Sequence, residues 1–113
     1  MKRGPRLVMA GLVAATLLGA VPQAVASPQF TGTKVAAKDN FFVPSKVTIT
    51  VGTKVKWVNK GISSHTTTSD DALWGKKLAP GQTFVYTFNS TGTFLYHCKF
   101  HFGMTGKVVV TSG

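Results

Sequence analysis

Residues 84–98 read FVYTFNSTGTFLYHC, and this stretch predicts two β-strands separated by a polar turn, NSTG. Aromatic residues alternate with smaller or polar residues on both sides of the turn, which is typical of strands with one buried face. Successive side chains of a strand point to opposite faces. We therefore expect Phe94, Tyr96 and Cys98 to point into the interior and His97 to point away from it.

The rest of the chain extends this pattern. Apolar residues alternate with Thr or Lys over residues 47–51 and 54–58, so that Trp57 is expected in the core, and residues 107–111 predict a final strand. The stretch 69–78 shows no clear period and is interpreted as a long loop or one helical turn. Many short strands with turns between them favour an all-β protein, either an antiparallel sandwich or a small barrel.

The first 26 residues have the composition of a secretory signal peptide. A basic start is followed by an uncharged apolar run over residues 7–21 and by the small residues Ala24-Val25-Ala26. A membrane anchor is the alternative, but 15 apolar residues are short for a span, which needs about 20. We therefore predict cleavage before Ser27, no membrane anchor afterwards, one domain over residues 27–113, and a periplasmic or secreted location.

One cysteine and one methionine remain after the predicted cleavage. Secreted domains of this size often carry disulfides, but Cys98 is the only cysteine in the chain. A lone thiol in an oxidising compartment requires an explanation, and a buried, metal-bound thiolate provides one. Met1 and Met9 belong to the predicted signal peptide, which leaves Met104, six positions after the cysteine.

These two residues flank a histidine in a C-x-x-H-x-x-M motif formed by Cys98, His101 and Met104. A short loop can direct all three side chains to one centre, and His65 can join them from a neighbouring loop. Taken singly, His101 could be an ordinary loop histidine and Met104 a core residue. Together, a thiolate, two imidazoles and a thioether are the ligands of an electron-transfer site with one type 1 copper ion.

The charge of the predicted mature chain is strongly positive. Ten lysines against three aspartates give a formal charge of +7, without arginine. The lysines are scattered and no arginine–aromatic surface is visible, so nucleic acid is not an expected partner. Two interpretations stay open: general solubility, or steering towards a redox partner protein with an acidic surface.

The sequence resembles the cupredoxins, small blue-copper proteins of the plastocyanin and amicyanin type. The resemblance covers nearly all of residues 33–111, and the two-residue spacing between His101 and Met104 matches the short ligand loop of amicyanins. The other matching segments are Phe42-Val43-Pro44, Val55–Asn59, the loop at His65, Leu78–Gly81 and Tyr96–Val110. The resemblance implies a Greek-key β-sandwich of about eight strands, with copper near one end, bound by His65, Cys98, His101 and Met104.

Two positions depart from the family pattern. Ser64 precedes the first histidine where a proline is frequent, and Thr66 follows it where an asparagine often links the two ligand loops. Thr66 could still form a hydrogen bond across to the other loop. Phe100 and Phe102 flank His101, and each could either surround an exposed electron port or pack inward beneath the loop.

Three functions are compatible with these observations. The favoured one is a monomeric electron carrier that cycles between Cu(II) and Cu(I) and is not an enzyme, because four protein ligands leave no open position for a substrate. The first alternative is a copper-binding or delivery protein without redox cycling. The second is a sandwich that binds zinc or no metal and acts through its surface.

Overall fold

The computed structural model describes residues 29–113, so the predicted signal peptide over residues 1–26 lies outside the described residues and stays a prediction. The described part is all-β and contains no helix, which confirms the predicted fold class. No helix in this part of the chain is therefore long and apolar enough to cross a bilayer. The described residues form nine strands: β1 Thr33–Lys38, β2 Phe41–Val43, β3 Lys46–Thr50, β4 Lys54–Asn59, β5 His65–Ser69, β6 Gly75–Leu78, β7 Thr83–Thr87, β8 Gly92–His97 and β9 Thr105–Thr111.

The strands form two packed sheets. One has the order β2-β1-β4-β7 and the other has the order β3-β9-β8-β5-β6. The sequence pattern favoured an antiparallel sandwich or a small barrel; the sandwich is present, but its sheets are mixed, because β1 pairs with β4, and β3 with β9, in parallel. Parallel neighbours need a crossover connection. The chain supplies it by passing repeatedly from one sheet to the other, for example at the predicted turn between β7 and β8.

The interior of the sandwich is an aromatic core that joins the two sheets. Trp57 of β4 is fully buried, as its alternation predicted. Its ring centroid lies 5.3 Å from that of Tyr96 in the opposite sheet and 5.6 Å from that of Trp74. Trp74 also donates its indole N–H to Oγ1 of Thr67 at 3.0 Å, so it anchors the chain before β6.

The segment 69–78 differs from both interpretations of its sequence. A tight turn, in which Ala72 has a φ of 61°, leads into the edge strand β6, which pairs with β5. Residues 75–77 are exposed and only Leu78 is buried. The strand therefore lacks the apolar alternation that would reveal it, and it forms through backbone pairing.

Tyr96 of β8 lies directly over Gly106 of β9, its partner in the sheet. A Cβ atom at position 106 would collide with the tyrosine ring, so glycine is required for this close approach. Burial raises the pKa of Tyr96 to about 12. The contact holds the C-terminal end of β8 in place, immediately before Cys98.

Candidate metal centre

The loop between β8 and β9 brings Cys98 beside Met104. The backbone N–H of Cys98 donates to the carbonyl of Met104 at 2.9 Å, and the N–H of Met104 donates to the carbonyl of His101 at 3.2 Å. Gly103 has a φ of 81°, a value that favours glycine. Both sulfur-containing side chains are buried, and Met104 lines the same depression as Cys98 and His101.

The alternation predicted for β8 is confirmed. Tyr96 and Cys98 are buried, whereas Leu95 is exposed and His97 lies partly exposed on the same face as Leu95. Nδ1 of His97 lies 2.6 Å from a carboxylate oxygen of Asp70. His97 therefore adjoins Cys98 in sequence and points away from it in space.

Cys98 and two histidines form a compact group. The candidate ligand atoms of His65, Cys98 and His101 all lie within 4.8 Å of one another. Sγ of Cys98 is 3.8 Å from Nδ1 of His65 and 3.5 Å from Nδ1 of His101. Metal bonds of about 2.3 Å to sulfur and about 2.0 Å to nitrogen, at tetrahedral or trigonal angles, separate these atoms by about 3.5–3.8 Å. The group thus fits a single ion.

The loop before His65 is held by Asn59, the last residue of β4. Its buried side-chain amide donates to the carbonyls of Ser63 and Leu78, at 2.8 Å each. Its side-chain oxygen accepts the backbone N–H of Gly61 at 2.8 Å. Because these bonds tie the loop to the end of β6, they define where β5 and its first residue, His65, begin.

Thr66 links the two ligand loops. Its backbone N–H donates to Sγ of Cys98 at 3.3 Å, and its Oγ1 accepts the backbone N–H of Lys99 at 2.8 Å. The prediction that Thr66 could form a hydrogen bond to the other ligand loop is confirmed. Thr66 thus connects the two loops at the position where cupredoxins often have an asparagine.

Asp39 is a member of the site that the sequence did not reveal. It lies in the turn between β1 and β2, and its Oδ1 is 2.9 Å from Nε2 of His65. The backbone N–H groups of Ile62 and Ser63 also donate to its carboxylate, at 3.0 and 3.2 Å. Chiefly the Ile62 bond, and then that of His65, hold the pKa of Asp39 below its usual value.

Both phenylalanines beside His101 point outward, which answers the question that the sequence left open. Phe100 is 53% exposed and Phe102 is fully exposed at 110%, while His101 itself is partly exposed. We call Phe100 and Phe102 the apolar rim. Lys77 places its ammonium group 5.9 Å from the centre of the Phe100 ring, and Lys76 and Lys99 line the adjoining cleft.

Comparison with known proteins agrees with this geometry. The family model of the cupredoxin-like domain matches residues 8–110, so the chain belongs to the cupredoxin-like family, as its resemblance predicted. The match begins within the predicted signal peptide and ends in β9. Copper is the metal of this family, and the His-Cys-His group is positioned to bind it.

Two amicyanins are similar in sequence. The chain is 33% identical to amicyanin of Paracoccus versutus over 75 residues, covering 61% of this chain and 57% of that protein. It is 35% identical to amicyanin of Paracoccus denitrificans over 68 residues, covering 55% and 52%. The chain thus spans about half the length of these curated relatives.

A solved structure shares the fold. The purple cupredoxin of Nitrosopumilus maritimus superimposes with a TM-score of 0.66 and 28% identity, covering 70% of this chain and 99% of that one. The two chains therefore share the cupredoxin-like sandwich fold.

Proposed function

We propose that the protein is an electron carrier that binds one type 1 copper ion through His65, Cys98, His101 and Met104. The observation that carries this proposal is the convergence of Nδ1 of both histidines on Sγ of Cys98, at 3.8 and 3.5 Å. When bound, copper supplies one-electron chemistry between Cu(II) and Cu(I). The sequence similarity to amicyanins, which lie in the same family, supports the same role.

The donor set suits both oxidation states. Thiolate and thioether are soft ligands that suit Cu(I), whereas imidazole suits either state. Cys98 and His65 are buried; Cys98 accepts a hydrogen bond from Thr66, and Nε2 of His65 lies at hydrogen-bond distance from the carboxylate of Asp39, so both side chains keep their positions when the charge of the site changes. Four protein donors leave no open position for a substrate, and we therefore propose that the protein is not an enzyme.

The apolar rim is the proposed port for electrons. His101 is the partly exposed member of the His-Cys-His group, and Phe100 and Phe102 beside it are exposed. A small apolar surface around an exposed ligand permits a close and short-lived contact with another protein. Lys76, Lys77 and Lys99 lie beside the rim, so the proposed partner is a redox protein with an acidic surface.

The main alternative is copper delivery without redox cycling. A delivery protein must release its ion, which requires exposed and exchangeable ligands. Cys98 is only 4% exposed and His65 is fully buried, which supports a carrier that retains copper. The soft thioether of Met104 likewise supports copper over zinc.

A chelator challenge separates carrier from delivery protein. The protein is loaded with one equivalent of Cu(II), and half of the sample is reduced to Cu(I). Each sample is then dialysed against a chelator that is specific for the oxidation state of its copper. We expect slow loss of copper, on the scale of hours, from both samples. Rapid loss from the reduced sample alone would instead support delivery.

We further propose that the carrier is exported as a monomer to the periplasm or the extracellular space. The basic start, the apolar run over residues 7–21 and the small residues Ala24-Val25-Ala26 support export. Mass spectrometry of the protein recovered from a secreting host should show an N-terminus at Ser27. Recovery of the uncleaved chain in the membrane fraction would contradict the proposal.

A further inference from the structure

Nε2 of His65, the ring nitrogen that faces away from Cys98, lies beside the carboxylate of Asp39. The imidazole is fully buried, and its Nε2 lies 2.9 Å from Oδ1 of Asp39, whose side chain is 35% exposed. A buried ring nitrogen without a hydrogen-bond partner would destabilise the folded state. Asp39 provides that partner, and it reaches His65 from a turn 26 positions earlier in the chain.

This contact determines which nitrogen of His65 carries the proton. An ionised carboxylate can only accept hydrogen bonds, so a neutral imidazole beside it must donate from Nε2. Nδ1 is then left with a free lone pair, and this is the atom that faces Sγ of Cys98 at 3.8 Å. Only the tautomer with the proton on Nε2 can bind a metal at that place.

The carboxylate also holds the loop that carries His65. It accepts the backbone N–H groups of Ile62 and Ser63 together with the imidazole, so three donors converge on one side chain. Gly61 makes room for it, since a Cβ atom at that position would collide with the carboxylate. One residue outside the proposed ligand set is thus bonded both to the loop and to the ring.

We infer that Asp39 is a positioning residue of the metal centre, which fixes the tautomer and orientation of His65 and lowers the reduction potential through its negative charge. The inference rests on the proposed role of His65 as a ligand. A carboxylate behind a ligating imidazole raises the basicity of that ligand, and a negative charge nearby stabilises Cu(II) more than Cu(I).

Two variants and a control test the inference. Asp39→Ala removes both acceptor oxygens and the charge, whereas Asp39→Asn removes the charge and keeps one of the two acceptor oxygens. Asp71→Asn is the control, because Asp71 is an exposed aspartate in the turn before β6 and its loss changes the net charge equally. Near-ultraviolet circular dichroism establishes that each variant is folded.

The first readout uses metal-free protein. Long-range ¹H–¹⁵N spectra, recorded where imidazoles are neutral, report which nitrogen of His65 is protonated. We expect protonation at Nε2 in the wild type and in Asp71→Asn, and a mixture of tautomers in Asp39→Ala. A wild type protonated at Nδ1, or an Asp39→Ala spectrum identical to that of the wild type, would overturn the inference.

The second readout uses copper-loaded protein. We expect Cu(II) affinity to fall by roughly 10- to 100-fold in Asp39→Ala, and the potential of Asp39→Asn to exceed that of Asp71→Asn. Equal potentials in these two variants would overturn the electrostatic part of the inference. Since the tautomer is read without metal, failure of the wild type to bind copper would refute the proposed function separately. Should Asp39→Ala not fold, Asp39→Asn still tests the potential.

Discussion

The backbone N–H of Lys99 donates a 2.8 Å hydrogen bond to Oγ1 of Thr66, and the backbone N–H of Thr66 donates to Sγ of Cys98 at 3.3 Å. These two bonds connect the loop that follows Cys98 with the strand that begins at His65. The candidate metal site therefore lies between two segments of the chain, and Thr66 connects them through these two hydrogen bonds.

Thr66→Val tests this connection, because it removes the hydroxyl and keeps the shape of the side chain. Loss of the acceptor should lower the free energy of unfolding by about 1–3 kcal/mol, since the N–H of Lys99 loses its partner. Thr48→Val, at an exposed strand position, is the control and should change stability by less than about 0.5 kcal/mol. Urea unfolding of the metal-free proteins measures both, and equal stabilities would contradict the role of Thr66.

Met104→Gln tests the proposed role of Met104 as a copper ligand. The variant should still bind copper, but its reduction potential should fall, because an oxygen donor favours Cu(II) over Cu(I). Voltammetry of the wild type and the variant under identical conditions gives the difference. A potential that is unchanged or higher would contradict the proposed role of Met104 as a copper ligand.

Phe102→Lys tests the apolar rim. Phe102 is fully exposed, so the substitution should leave the fold and the potential nearly unchanged. Electron self-exchange should slow about tenfold, as expected for a loss of about 1.4 kcal/mol in the docking of two copies. NMR line broadening in mixtures of oxidised and reduced protein measures the rate.

Phe41→Lys is the matched control for the apolar rim. Phe41 is an exposed phenylalanine of β2, and its replacement by lysine adds the same charge as Phe102→Lys. Its self-exchange should fall much less than that of Phe102→Lys. Equal rates in the two variants would locate the port elsewhere on the surface.

Gly106→Ala tests the contact that fixes the end of β8. The added Cβ must displace the Tyr96 ring, and overpacking of this kind costs about 1–3 kcal/mol. Gly75→Ala is the control, because nothing lies within 4 Å of a Cβ at that position. Thermal unfolding should therefore show a clear drop only for Gly106→Ala. A similar drop in both variants would contradict the importance of the Tyr96 contact.

The sequence predicted those parts of the molecule that depend on local patterns. Aromatic alternation revealed β8 and the direction of Cys98, and the spacing of Cys98, His101 and Met104 within one loop indicated a metal site. β5 and β6 were not visible. Strand β5 reads HTTTS and is buried although it has no aliphatic residue, so hydrophobic alternation could not reveal it. Strand β6 is short and mostly exposed.

Long-range contacts explain what could not be predicted. Asp39 meets His65 only because β1 and β4 pair side by side, which brings the turn after β1 next to the loop after β4. No spacing rule connects residues 26 positions apart. The outward direction of Phe100 and Phe102 likewise depends on how the loop closes on Met104, which hydrophobicity alone does not determine.

The most direct test of the central claim is a Cu(II) titration of the purified protein followed in the visible spectrum. An intense blue thiolate-to-copper charge-transfer band should saturate at one equivalent, bleach on reduction, and return on reoxidation. Cys98→Ser should remain folded and show no such band. Absence of the band in the wild type, its persistence in Cys98→Ser, or its failure to return after reduction would contradict a type 1 copper electron carrier.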